Sequence, residues 1–175
     1  MKHLLVCILL LSTFCVRADQ NESEKPIPEQ EKNRISQVLR EALKEKSITQ
    51  PQYDQAMVWL HSTPCNGVDR SLSESRKKEL ASAIAKQERL ESVDVYQSFT
   101  ADGWTIVYVD THISDKPYLF YSGDPVTAKS AVTAWSGAAL VFETSEIKEW
   151  VLKNAPGISD RLASCFAWHV TLNRD

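Results

Sequence analysis

From Glu31 onward, apolar residues return every three or four positions. Ile35, Val38, Leu39, Ala42 and Leu43 fall at i, i+3, i+4, i+7 and i+8, which is the spacing of one helical face. Thr49 with Gln52 three residues on forms a capping-box signature. Tyr53, Ala56, Met57 and Leu60 then give a second apolar face, and Pro64 disfavours helix at Thr63. Ser71 or Ser73 opens a third helix that runs to about Glu88, with Leu80, Ala83 and Ile84 turned inward.

At Ser92 the period drops to two. Val93, Val95, Gln97 and Phe99 alternate with Asp94, Tyr96 and Ser98, predicting a strand with the first set on one face. Ala101-Asp102-Gly103 is a hairpin signal. Trp104 to Thr111 is rich in aromatic and β-branched residues and reads as a second strand. A polar loop from His112 to Lys116 leads to a third strand from Pro117 to Ser122.

Asp124-Pro125 fits the cap and first position of a helix over 125–134. Ala138 to Glu143 reads as a short apolar strand. Thr144 or Ser145 caps a helix with Ile147, Trp150 and Val151 inward, ended by Ala155-Pro156-Gly157. The last segment fits both periods. Its β-like composition favours a turn of helix at 159–163 and a strand from Cys165 to Leu172. The predicted fold is α+β: N-terminal helices, then a mostly antiparallel sheet of about five strands with inserted helices.

The N-terminus adds a processing signal. A basic Lys2-His3 precedes an apolar Leu4 to Val16, and Val16-Arg17-Ala18 suits signal cleavage. The apolar run is about a dozen residues, short of the roughly 20 that a spanning helix needs. The reading is a signal peptide at 1–18, a disordered polar leader at 19–30 and a single α+β domain at 31–175. Periplasmic or secreted localisation follows, with no membrane insertion after cleavage.

Charge narrows the partners. Losing Lys2 and Arg17 takes the basic count from 20 to 18 against 23 acidic residues, a net charge of −5. An acidic chain without a basic cluster argues against nucleic acid, because phosphates are met by Lys and Arg. It favours a protein partner, and a basic one.

Four cysteines are present, but Cys7 and Cys15 leave with the leader. Cys65 and Cys165 remain, and two cysteines in an exported chain pair as one disulfide. Each has a histidine four positions away, His61 in HSTPC and His169 in CFAWH. Cys2His2 is a common zinc set, so His61 and His169 are candidate ligands. Pro64 disturbs the first half, and an oxidising compartment lets the thiols pair directly.

Asp110, His112 and Asp115 are candidate acid–base residues, clustered where the second strand turns into the third. Ser122 falls at the far end of its strand, out of reach for a triad. Tyr118, Tyr121 and Trp135 are candidate binding anchors. Tyr118 and Tyr121 point to opposite faces of their strand, so at most one is expected in the core. No phosphate loop, dinucleotide fingerprint, zinc-protease or calcium-loop motif is present, and no cofactor is expected. These features fit an exported, non-catalytic binding protein, an inhibitor or immunity-type protein acting on another protein. The alternative is a small hydrolase or cell-wall-active enzyme using His112 with Asp110 or Asp115.

Overall fold

A computed structural model describes residues 26–172. The leader read at 1–18, and the polar stretch as far as 25, lie outside the described residues. From residue 26 the chain departs from the disordered reading. Ile27 is buried, and helix α1 (Glu29–Lys44) starts straight after Pro28 as its N-cap. Helices α2 (Gln50–Leu60) and α3 (Glu74–Glu88) follow. Thr49 and Gln52 complete the expected capping box at α2. At α3 the cap is Ser73, whose hydroxyl accepts from the Arg76 N–H at 3.2 Å.

Four strands make one antiparallel meander in the order β1 (Asp94–Ala101), β2 (Trp104–Asp110), β3 (Tyr118–Ser122), β4 (Thr133–Trp135). Asp102 and Gly103 both take positive φ, 51° and 78°, the primed turn that matches strand twist. Helices α4 (Thr144–Asn154) and α5 (Asp160–Leu172) close the chain.

Helices cover both faces of the sheet. Phe99, Ile106, Tyr118 and Phe120 lie in one core cluster with Leu162, Phe166 and Val170 of α5. Val95, Val107, Val109, Leu119 and Tyr121 lie in another with Leu80 and Ile84 of α3. Double coverage explains why β2 and β3 are buried almost continuously instead of alternating. It also corrects the expectation that only one of Tyr118 and Tyr121 is core. They do face opposite ways, and both are buried.

The first strand holds a surprise. Between Val95 and Gln97 the register with β2 slips by one residue, a β-bulge centred on Tyr96. The slip changes which face each residue meets. Val93 and Val95 pack toward α3, while Gln97 and Phe99 turn toward α5. The strict alternation predicted for this strand therefore breaks in its middle.

Three other expectations are corrected. Residues 165–172 are helix, not strand: α5 buries every side chain from Leu162 to Val170. Such a helix has no polar face to display its period. Residues 138–143 are not a strand. Leu140 N–H donates to the Glu143 carboxylate at 2.6 Å and Glu143 N–H to Leu140 C=O at 2.9 Å, which closes a 3₁₀ turn at Val141–Glu143. The 125–134 helix aborts after one turn. Asp124 caps it as expected, with Oδ1 accepting from Val126 N–H at 2.9 Å. The Gln87 amide of α3 then takes the Pro125 and Ala128 carbonyls, at 2.7 and 2.8 Å. Those acceptors are lost to a growing helix, and the chain runs on into β4. The sheet thus has four strands rather than five, within the predicted α+β class.

Cys65, just past α2, and Cys165, inside α5, form a buried disulfide with Cα atoms 4.5 Å apart. Polar tethers reinforce the same seam. Trp168 Nε1 donates to Trp59 C=O at 3.0 Å, and Trp59 Nε1 to Ser145 Oγ at 2.9 Å. The buried cysteine pair is consistent with an oxidising compartment. No helix among the described residues is long and apolar enough to cross a membrane.

Candidate functional site

The sheet register brings a set of chemically active side chains to one end of the meander. Asp94 opens β1 directly opposite Asp110, the last residue of β2. The 111–116 loop leaves from there and returns at Pro117, whose carbonyl accepts from Val109 N–H at 3.0 Å. Asp110, His112 and Lys116 therefore share one corner with Asp94 and Tyr96.

Directional contacts hold that corner. Asp110 Oδ1 accepts from the His112 backbone N–H at 2.8 Å, an Asx-turn. His112 sits at φ 61°, a left-handed conformation that this hydrogen bond helps to offset. Its ring lies between two carboxylates, Nε2 at 3.4 Å from Asp94 and Nδ1 at 3.5 Å from Asp110. Lys116 Nζ reaches Asp110 at 3.3 Å and Tyr96 Oη at 3.3 Å, and lies 4.4 Å from the Tyr96 ring centroid. The His112 N–H holds the Asp110 carboxyl below the ordinary carboxylate range, and Lys116 outweighs with it the opposing pull of partial burial. Lys116 is raised in turn, first by the Tyr96 hydroxyl and then by Asp110.

An aromatic ladder ties the corner to the core. Tyr96 lies 5.8 Å from Tyr108, which stacks on Tyr118 at 4.4 Å. Tyr118 meets Phe166 edge-on at 5.1 Å and Trp135 at 6.0 Å. Exposure rises along it, from 7% at Tyr118 to 44% at Tyr96. The bulge sets this gradient, because it swings Tyr96 out of the alternation and toward Lys116.

The other sequence candidates hold different positions. Asp115 is exposed in the same loop, beside Ser114, whose hydroxyl donates to the Asp115 carbonyl at 3.3 Å. Ser122 pairs with Trp104 at the far end of the hairpin, as the strand length implied. Tyr121 is fully buried on the α3 side. Its hydroxyl donates to Gln87 Oε1 at 3.1 Å, and burial pushes its pKa up, so it is a core residue rather than a binding anchor. Trp135 is half-buried at the edge strand, and Tyr118 is a core rung.

The two histidines of the mirrored motifs are separated by environment. His61 caps the C-terminus of α2 at the surface. His169 is buried, 4.8 Å from the Phe99 ring centroid, with Nε2 2.9 Å from Gln97 Oε1. Their cysteines are bonded to each other, so the Cys2His2 reading has lost its thiolates. Among the described residues, no three His, Cys, Asp or Glu side chains are grouped to hold a metal ion.

Sequence reasoning named Asp110, His112 and Asp115 but missed Asp94, Tyr96 and Lys116, and with them Ile113, which is exposed in the 111–116 loop. Asp94 joins only through strand register, and Tyr96 only through the bulge. Ile113 carried a local signal, an isolated branched apolar residue in a polar loop. No known protein family, curated protein or solved structure matches this chain.

Proposed function

We propose that this protein is an exported, non-catalytic binding protein that engages another protein through the Tyr96–His112–Ile113–Lys116 corner, as an inhibitor or immunity-type protein. One observation carries the reading. A pinned loop, an outward tyrosine and a lysine combine at one end of a rigid sheet, and Ile113 at its tip is 75% exposed. Tyrosine and isolated apolar anchors on rigid supports concentrate binding energy at protein interfaces. The polar groups are mutually engaged: His112 is held between Asp94 and Asp110, and Lys116 between Asp110 and Tyr96. That arrangement shapes a surface. The disulfide and the expected signal peptide support a periplasmic or secreted setting.

The test starts from residues 19–175 expressed with the disulfide formed and used as bait on extract from the source cells. A retained protein is then purified and titrated against the bait by calorimetry. A saturable complex weakened by Tyr96→Ala supports the reading. Turnover of a cell-wall or ester substrate that disappears in His112→Ala would replace it with the hydrolase reading.

A further inference from the structure

The 111–116 loop carries a more specific consequence, which rests on the binding reading above. We propose that this loop is a wedge whose Ile113 side chain fills an apolar cleft, rimmed by basic residues, on a protein partner.

Ile113 is the most exposed large apolar side chain among the described residues, at 75%. Its own chain leaves most of this apolar side chain in water, and that surface is buried only against another molecule. The loop is built to present it. Asp110 fixes the residue before it through the His112 N–H at 2.8 Å. Thr111 and Ser114 hydroxyls meet at 3.4 Å across it. Lys116 anchors the returning arm to Asp110 at 3.3 Å. A loop held this way has less conformational entropy to lose on docking.

Charge selects the occupant. The loop and the strand end beside it carry three carboxylates, Asp94, Asp110 and Asp115, against one ammonium, Lys116, which pairs with Asp110, and the whole chain carries a net charge of −3. A second copy of the same acidic corner would repel it, and an anionic bilayer would repel it for the same reason. A cleft with lysine or arginine at its rim satisfies both the charge and the apolar tip.

The experiment places a photoreactive benzoylphenylalanine at position 113, 96 or 58 of the full chain, expressed in the source organism. Val58 on α2 is the exposed apolar control. The proposal expects a protein adduct from positions 113 and 96 and none from 58. The peptide attached to 113 is expected to come from an apolar depression flanked by lysine or arginine. With that protein purified, Ile113→Asp is expected to weaken binding by about 30-fold or more and Ile113→Leu by far less. Added salt is expected to slow association.

Other outcomes overturn it. An adduct from 96 but not 113, or Ile113→Asp binding within a few-fold of the parent chain, removes the wedge and leaves the binding function standing. Adducts to lipid alone assign the loop to a membrane surface instead. No protein adduct from either 113 or 96 removes the wedge and the binding corner together.

Discussion

The two ends of the aromatic ladder are held by different forces. At the inner end Tyr118 is 7% exposed, walled by Phe166, Phe99 and the His169 ring. Burial, close packing and the nearby disulfide fix it. At the outer end Tyr96 is 44% exposed, and Lys116, Asp110 and His112 hold the corner through hydrogen bonds and ion pairs. Packing is non-directional and strong in aggregate. Exposed polar pins add little stability but fix orientation. The inner end therefore makes the protein fold, and the outer end gives the surface its shape.

The largest effect expected is at the inner end. Replacing both Cys65 and Cys165 with Ala removes a cross-link over a sequence separation of 100 residues. Chain entropy assigns it about 4–5 kcal/mol, read as a lower urea midpoint. A loss below about 1 kcal/mol would mean that the α5 seam is held by packing alone, since other bridges have delivered as little.

Next comes Phe166→Ala. Phe166 is fully buried and touches Tyr118, Phe120 and Trp135 at centroid distances of 5.1, 4.9 and 5.6 Å. A cavity of that kind costs about 3–4 kcal/mol. Partner binding by the folded fraction should stay close to that of the parent chain. If binding falls as steeply as stability, the two ends of the ladder are not separable.

Tyr96→Ala reverses the order of effects. Its ring loses one tilted aromatic contact and one lysine contact, together about 1 kcal/mol of stability. Affinity for the partner is expected to fall by about tenfold, the loss of an interface anchor, in the same calorimetric titration. Equal small changes in both would make Tyr96 an ordinary surface residue.

The same contrast explains what was legible in the sequence. Helices α1 to α3 announced themselves through an apolar face or a clear cap, β1 through its alternation, and β2 and β3, though buried on both faces, through β-branched and aromatic composition between turn signals. Helix α5 did not, since nine consecutive buried residues erase the polar face on which a period is read. The bulge at Tyr96 was hidden because Val93, Val95, Gln97 and Phe99 fit one unbroken alternation. Only pairing against β2 shows that the extra residue sends Gln97 to the opposite face from Val95. Asp110 and His112 were visible as neighbours in a loop. Asp94 lies 16 positions before Asp110 and joins it only across the register. Local chemistry could be read directly, whereas residues assembled by strand pairing could not.

The smallest effect expected is a pH response at the outer end alone. The His112 N–H, assisted by Lys116, holds the Asp110 carboxyl below its ordinary range. In an unfolded chain an aspartate titrates near about 3.9. The charged form is therefore favoured in the folded protein, and the pinning is fully present above that value. It is lost as pH falls through the lower folded value, because a protonated carboxyl is a poorer acceptor for the His112 N–H. The His112 amide resonance is expected to move with a midpoint below about 3.9, and Asp110→Asn to abolish that titration. The protection factor against hydrogen exchange at the His112 amide should fall over the same range, while the Leu119 amide, next to Tyr118 and in the hydrogen-bonded pair with Val107, keeps its protection. If both amides lose protection together, the corner is not pinned by Asp110 but simply follows the fold, and the division between the two ends of the ladder fails where it is most exposed to water.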